Sequence, residues 1–290
     1  MLKRLLNRSE EITSQKLEQV AREWSARTFA KVRLADLLPI SGSGITDAAY
    51  RYALQAHFDF VVTDNDYNPL FAVEYDGPSH RSPVQWSRDE LKDHLCRVFE
   101  LPLLRINARY LRPVANGLDV LAWCTHTWFS TRVVIEAERS GRIEPGEVCP
   151  GDIVLLSSSD EILPLWLTRK VRGDLWAISA ENPELDPVPT CLVACGAEGE
   201  YRALAILRVT RDTGLLVKTG MRAQNFAARL DELVEELVVL ELWEKYQGFL
   251  RGELATEPIE RLRELALEFR DRHTILTVST SGDTLFLHHT

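Results

Sequence analysis

Long apolar runs, paired cysteines and an excess of positive charge are all scarce in this sequence of 290 residues. No run approaches the roughly 20 consecutive apolar residues that crossing a bilayer requires, and the start, MLKRLLNRSEE, carries too short an apolar stretch for a secretory signal. A cytoplasmic location with no membrane partner is therefore expected. The five cysteines are odd in number and scattered, which argues against a disulfide framework. Cys191 and Cys195 form a CxxxC pair, but no second pair lies at zinc-finger spacing, so both are expected on a β-strand. A net charge of −9 argues against a protein that coats nucleic acid through bulk positive charge. The acidity is uneven. Residues 1–112 hold 16 Lys and Arg against 15 Asp and Glu, whereas the rest of the chain holds 18 against 28.

What is present is a sequence able to fill a sizeable core, with 45% hydrophobic residues. Ile12, Leu17, Val20, Ala21 and Trp24 recur at near-helical spacing and predict an amphipathic helix over Glu10 to Trp24. KVRLADLL reads as an edge or half-buried strand and SGSGITD as a loop. FDFVV (58–62) and FAVEYD (71–76) read as strands joined by the turn-rich TDNDYNPL. Ser87 and Glu90 form a capping-box signature for a helix, and LPLLRI (101–106) closes the half as a short apolar strand. The predicted order is α, β, β, β, α, β in a mixed α/β domain over residues 1–140. A helix from about Gly117 to Glu138 ends it. Short apolar runs between 145 and 220, including LWLTRKV and LWAIS, then predict a small β-barrel or sandwich, and residues 221–290 a helical C-terminal region.

The chemistry concentrates on the hairpin. A symmetric register about the turn sets Asp59 opposite Glu74, Phe60 opposite Val73, Val61 opposite Ala72 and Val62 opposite Phe71. Side chains alternate faces along a strand. One face then carries Phe58, Phe60, Val62, Phe71, Val73 and Tyr75, and the other Asp59, Val61, Ala72, Glu74 and Asp76. Like charges opposed on a sheet destabilise it by about 0.2–1 kcal/mol per pair, so three clustered carboxylates invite a cation. Mg²⁺, or Mn²⁺ in its place, suits oxygen ligands and keeps open positions for phosphate. Asp59 and Glu74 are the candidate ligands, with Asp76 as a further ligand or a base for the attacking water. His80, just past Gly77, is within reach as an acid, a leaving-group contact or a ligand. Asp89 and Lys92 lie three apart on one helix face, and Lys92 is the candidate for stabilising transition-state charge on a phosphate. Arg88 and Arg105 are less specific phosphate contacts. The plain alternative is a solvent-facing hairpin whose acids keep the sheet soluble.

The linked run FDFVV, FAVEYDGPSH and RDELKDHLCRVFELPLLRI resembles the core of the PD-(D/E)XK nuclease superfamily. The nearest branch is the one that contains very-short-patch-repair endonucleases and related bacterial domains of uncharacterised function. The resemblance covers Phe58 to Ile106 well and the N-terminal helix more loosely. It implies a restriction-endonuclease-like αβββαβ core and Mg²⁺-dependent hydrolysis of DNA, with RNA not excluded, in repair or defence. It also implies a metal-binding glutamate on the first helix, for which Glu10 is the best counterpart and Glu11 the alternative. The sequence departs from the superfamily in two places: the lysine two residues after the glutamate is Asp76 here, and no proline precedes Asp59. Either Lys92 supplies that cation from the helix, or the module binds nucleic acid without cutting. The acidic second half shows no basic, aromatic-rich face, and a protein partner is its expected ligand.

Overall fold

The computed structural model describes residues 3–77, 83–115, 118–147, 155–156, 162–163, 167–196, 199–226 and 229–280. It divides into two compact units, Met1–Pro150 with Gln224–Ala228, and Gly151–Ala223 with Arg229–Thr290. The β-rich and helical segments expected as separate regions after residue 145 thus form one unit.

In the first unit, α1 (Arg8–Glu23) opens on a capping box. The Asn7 side chain accepts from the Glu10 N–H, and Glu10 Oε2 accepts from the Asn7 N–H at 2.9 Å. After β1 (Arg27–Arg33) come two helices, α2 (Leu34–Leu37) and α3 (Asp47–Gln55). Leu34 and Asp36, expected to continue the strand, lie instead in α2. There Leu34 packs under Ala49 and Ala53 of α3. The hairpin β2 (His57–Thr63) and β3 (Pro69–Tyr75) follows, then α4 (Pro83–Val98) and β4 (Leu103–Ile106). Helix α4 begins at Pro83, a turn before Ser87; proline is well suited to the first helical turn, where its missing N–H costs nothing. The sheet order is β1-β2-β3-β4, antiparallel except for β3 and β4, whose parallel pairing needs the crossover that α4 provides.

Both faces of this sheet are covered. Phe71 packs on Trp128 and Phe129 of α5 (Val120–Arg139) and on Phe226, at 4.8, 6.0 and 5.2 Å between ring centroids. Before α5, a 3-10 turn (Ala108–Leu111) leads to a short ribbon of β5 (Pro113–Ala115) and β6 (Leu118–Asp119). The outer edge of β4 is closed by residues 224–225. Gln224 uses its amide to bond both the N–H and the C=O of Arg105, at 3.0 and 3.1 Å, and the Leu103 N–H donates to Asn225 O at 2.7 Å. An edge strand that would otherwise be open for pairing is so capped.

His126 on α5 is buried and accepts the Trp24 indole N–H on Nδ1 at 3.0 Å. Burial lowers its pKa to about 4, against the opposing charge of Asp119. Between that value and 6.5 the unfolded chain binds a proton that the folded chain refuses, so stability rises as pH climbs through this window. The gain is about 3 kcal/mol at about 1.4 kcal/mol per pKa unit. Denaturant titrations from pH 4 to 7.5 should show this slope in the wild type and a flatter one in His126→Asn.

The second unit holds a fully antiparallel sheet, β12-β11-β10-β9-β13, and a small ribbon of β7 (Leu155–Leu156) with β8 (Ile162–Leu163). Here β9 is Thr190–Cys195, β10 Tyr201–Arg208, β11 Thr213–Met221, β12 Glu257–Pro258 and β13 Thr274–Ser279. No closed barrel forms among the described residues. The stretch expected as strands at 165–171 and 175–179 is helix α6 (Arg169–Glu181) over most of its length. Val171 and Leu175 are buried and Ile178 half-buried, the i, i+4, i+7 spacing of a helix rather than the alternation of a strand. Helix α7 (Leu230–Leu250) packs on β9, β10 and β11, and α8 (Ile259–Arg272) sets Ile259, Leu262, Ala266 and Phe269 on Leu192, Ala194, Leu204 and Ile206. Cys191 and Cys195 both lie on β9, and Cys96, Cys124, Cys191 and Cys195 are all free. No helix among the described residues is long and apolar enough to cross a membrane.

Candidate functional site

The hairpin register matches expectation through Phe60–Val73, Val61–Ala72 and Val62–Phe71. Asp64 ties off its turn by accepting the backbone N–H groups of Asp66 and Asn68. At the other end the backbone ladder gives way to side chains. Glu74 Oε1 accepts the Asp59 N–H at 3.1 Å, and Asp59 Oδ2 accepts the Tyr75 N–H at 2.9 Å. The two residues stand together because each carboxylate bonds the opposite strand's backbone. Alternation breaks with the ladder. Phe58, expected to share a face with Phe60, packs in the core with Val61 and Ala72, beside Leu95 and Cys96 of α4.

Each carboxylate keeps its second oxygen for a cation. Glu74 Oε2 meets Lys92 Nζ at 2.7 Å, and Lys92, a buried α4 residue, also donates to His57 O at 2.9 Å and lies over the Phe58 ring. Asp59 Oδ1 meets Lys31 Nζ at 2.7 Å, and the same ammonium meets Glu10 Oε1 at 2.8 Å. The capping box therefore does a second job, since it fixes one Glu10 oxygen and aims the other at the hairpin. Lys31 sits on β1 with φ 56°, in the left-handed region. Such backbone costs an L residue roughly 1–2 kcal/mol.

Burial pushes the Glu74 carboxyl up to about 7 and the charge of Asp59 adds to this, although Lys92 and Arg105 pull the other way. Burial opposes the charge of Lys31, yet its bonds to Asp59 and Glu10 hold its pKa above the ordinary value. Burial and the charges of Glu74 and Asp89 keep the Tyr52 phenol on α3 protonated.

A second cluster adjoins the first. The buried Arg105 guanidinium meets Asp93 at 2.9 Å, Asp76 at 3.2 Å and Asp89 at 3.4 Å. Arg105 thereby positions Asp76 and Asp89 instead of presenting its charge to solvent. Arg88 is exposed on α4. His80 lies outside the described residues.

Of the residues singled out from sequence, Glu10, Asp59, Glu74 and Lys92 come together through hydrogen bonds or ion pairs, with Asp76, Asp89 and Arg105 in the adjoining group. Lys31 and Asp93 were not foreseen. Asp93 stands four residues after Asp89, a helical spacing that places both beside Arg105. Lys31 gave no such signal, because its side chain is brought to Asp59 by pairing between β1 and β2.

Among the described residues no three His, Cys, Asp or Glu side chains form a ready-made metal cage. The donors that are present are nonetheless of the right kind. Glu10, Asp59 and Glu74 each have one carboxylate oxygen fixed by a backbone N–H and the other facing an ammonium. Mg²⁺ is commonly held by one or two carboxylates, with water and phosphate oxygens completing its shell.

Residues 2–115 match a protein family described as "Protein of unknown function (DUF2726)". That stretch contains every residue of the candidate site. No curated protein and no solved structure matches the chain.

Proposed function

We propose that the first unit is a metal-dependent nuclease that hydrolyses DNA phosphodiester bonds in a cytoplasmic setting, with Asp59 and Glu74 holding Mg²⁺ or Mn²⁺ and Glu10 available beside them. The observation that carries this is the place of Lys92. The resemblance to PD-(D/E)XK nucleases calls for a lysine two residues after the glutamate, and that position is Asp76. Here an ammonium reaches Glu74 from α4 instead, buried and 2.7 Å from its carboxylate. The residue type that this chemistry would call for thus reaches Glu74 from a different element.

A bound divalent ion would polarise the phosphodiester and make hydroxide available near neutral pH. Asp59 and Glu74 would supply carboxylate oxygens whose orientation is set by the strand backbone, so the carboxylates themselves would move little to take an ion, while the Lys31 ammonium on Asp59 would have to leave. Lys92 would stabilise negative charge that grows on the phosphate. Asp76, held by Arg105, is the candidate base for water. The exposed Arg88 offers a phosphate contact.

One observation favours a second reading, a nuclease-fold module that binds without cutting. Asp59 and Glu74 are already paired with lysines, and the described residues hold no ready-made cage. Incubating the protein with supercoiled plasmid and with single- and double-stranded oligonucleotides in Mg²⁺, Mn²⁺ or chelator separates the two. Divalent-dependent cleavage is expected. No cleavage, or cleavage indifferent to chelator, contradicts the nuclease.

A further inference from the structure

We infer that the Lys31 ammonium is a built-in occupant of the Glu10 and Asp59 carboxylate pair, which a divalent cation must displace, so that Lys31 sets the ion concentration at which the site loads. The inference rests on the metal-dependent nuclease proposed above. Its geometry is that of a cation shared by two ligands. Nζ lies 2.8 Å from Glu10 Oε1 and 2.7 Å from Asp59 Oδ1, so one positive charge serves two negative ones. A divalent ion in its place would balance both carboxylates.

Three features make the ammonium a removable occupant. The carboxylates do not depend on it for position, because Glu10 Oε2 is fixed by the Asn7 N–H and Asp59 Oδ2 by the Tyr75 N–H. The lysine has a way out, since 28% of its side chain is exposed and its four-carbon stem can swing to water. Lys92 provides the contrast, with 8% exposure and a further bond to His57 O that keeps it in place. Finally, β1 adopts left-handed backbone at Lys31 itself, between Ala30 and Val32, which pair with Phe60 and Phe58. The strand departs from regular geometry at the one residue whose side chain bridges the acids.

The test is Mn²⁺ titration by calorimetry on the full chain, comparing wild type, Asp59→Asn and Lys31→Gly. Glycine is chosen because φ 56° is a conformation it adopts freely, and thermal unfolding checks that the variant folds. Lys31→Gly should bind Mn²⁺ about tenfold more tightly or better, as expected when a partly buried competing charge is removed. A second measurement needs no variant. Acetylation of Lys31 by an N-hydroxysuccinimide ester, followed by mass spectrometry, should accelerate when Mn²⁺ saturates the wild type. Equal or weaker Mn²⁺ binding by Lys31→Gly, or Lys31 acetylation unchanged by Mn²⁺, overturns the inference and leaves the nuclease standing. Failure of the wild type to bind any Mn²⁺ that Asp59→Asn abolishes overturns both.

Discussion

Glu74→Gln is expected to lower DNA cleavage by about a thousandfold while leaving the fold intact. The magnitude follows from the several kcal/mol of charge stabilisation a metal supplies, at about 1.4 kcal/mol per factor of ten in rate. Glutamine is the informative substitution because its amide oxygen can still accept the Asp59 N–H, the bond that joins the two strands where their backbone ladder ends. What it removes is the anionic oxygen that faces Lys92. Single-turnover cleavage in Mn²⁺, with circular dichroism as the fold control, gives the answer. Equal rates for the two proteins would show that any cleavage arises elsewhere.

Lys92→Met is the second large effect, and it separates two roles of one side chain. Loss of a positioned cation at the phosphate should cost about 10²–10³ in cleavage rate. Stability should fall as well, in a pH-dependent way. Lys92 opposes the upward shift of the Glu74 carboxyl, so its removal drives that pKa above its present value of about 7. A buried carboxyl with a raised pKa costs no stability while it is protonated below about 4.5, and a growing amount as pH rises and its ionisation is refused. The variant should therefore be destabilised more at pH 9 than at pH 5 in denaturant titrations. A deficit equal at both values would show that the Glu74 carboxyl is not coupled to Lys92.

The hairpin could be read in the sequence because two periodicities agreed about one turn. Alternation in FDFVV and FAVEY and the turn chemistry of Asp64 and Asn68 select the same register. That register breaks down at Asp59, where carboxylates replace backbone acceptors, and the face of Phe58 changes with it. No alternation rule contains a side chain that takes over a ladder bond. Only a family resemblance singles out Glu10 in the sequence, and its double use as cap and site residue depends on Lys31 arriving from β1. Residues 224–225 cap β4 from more than a hundred positions away, a pairing that local pattern does not encode. Helix α6 is hidden in the sequence because LWLTRKV and LWAIS each fit a short strand, whereas Val171, Leu175 and Ile178 together make one helical stripe.

The most direct measurement is a crystal structure of the protein grown with Mn²⁺, examined by anomalous scattering. A manganese peak between the carboxylates of Asp59 and Glu74 is the predicted result. Crystals saturated with Mn²⁺ that show no peak there, with Lys31 and Lys92 still bonded to Asp59 and Glu74, would contradict a metal-dependent active site on this hairpin.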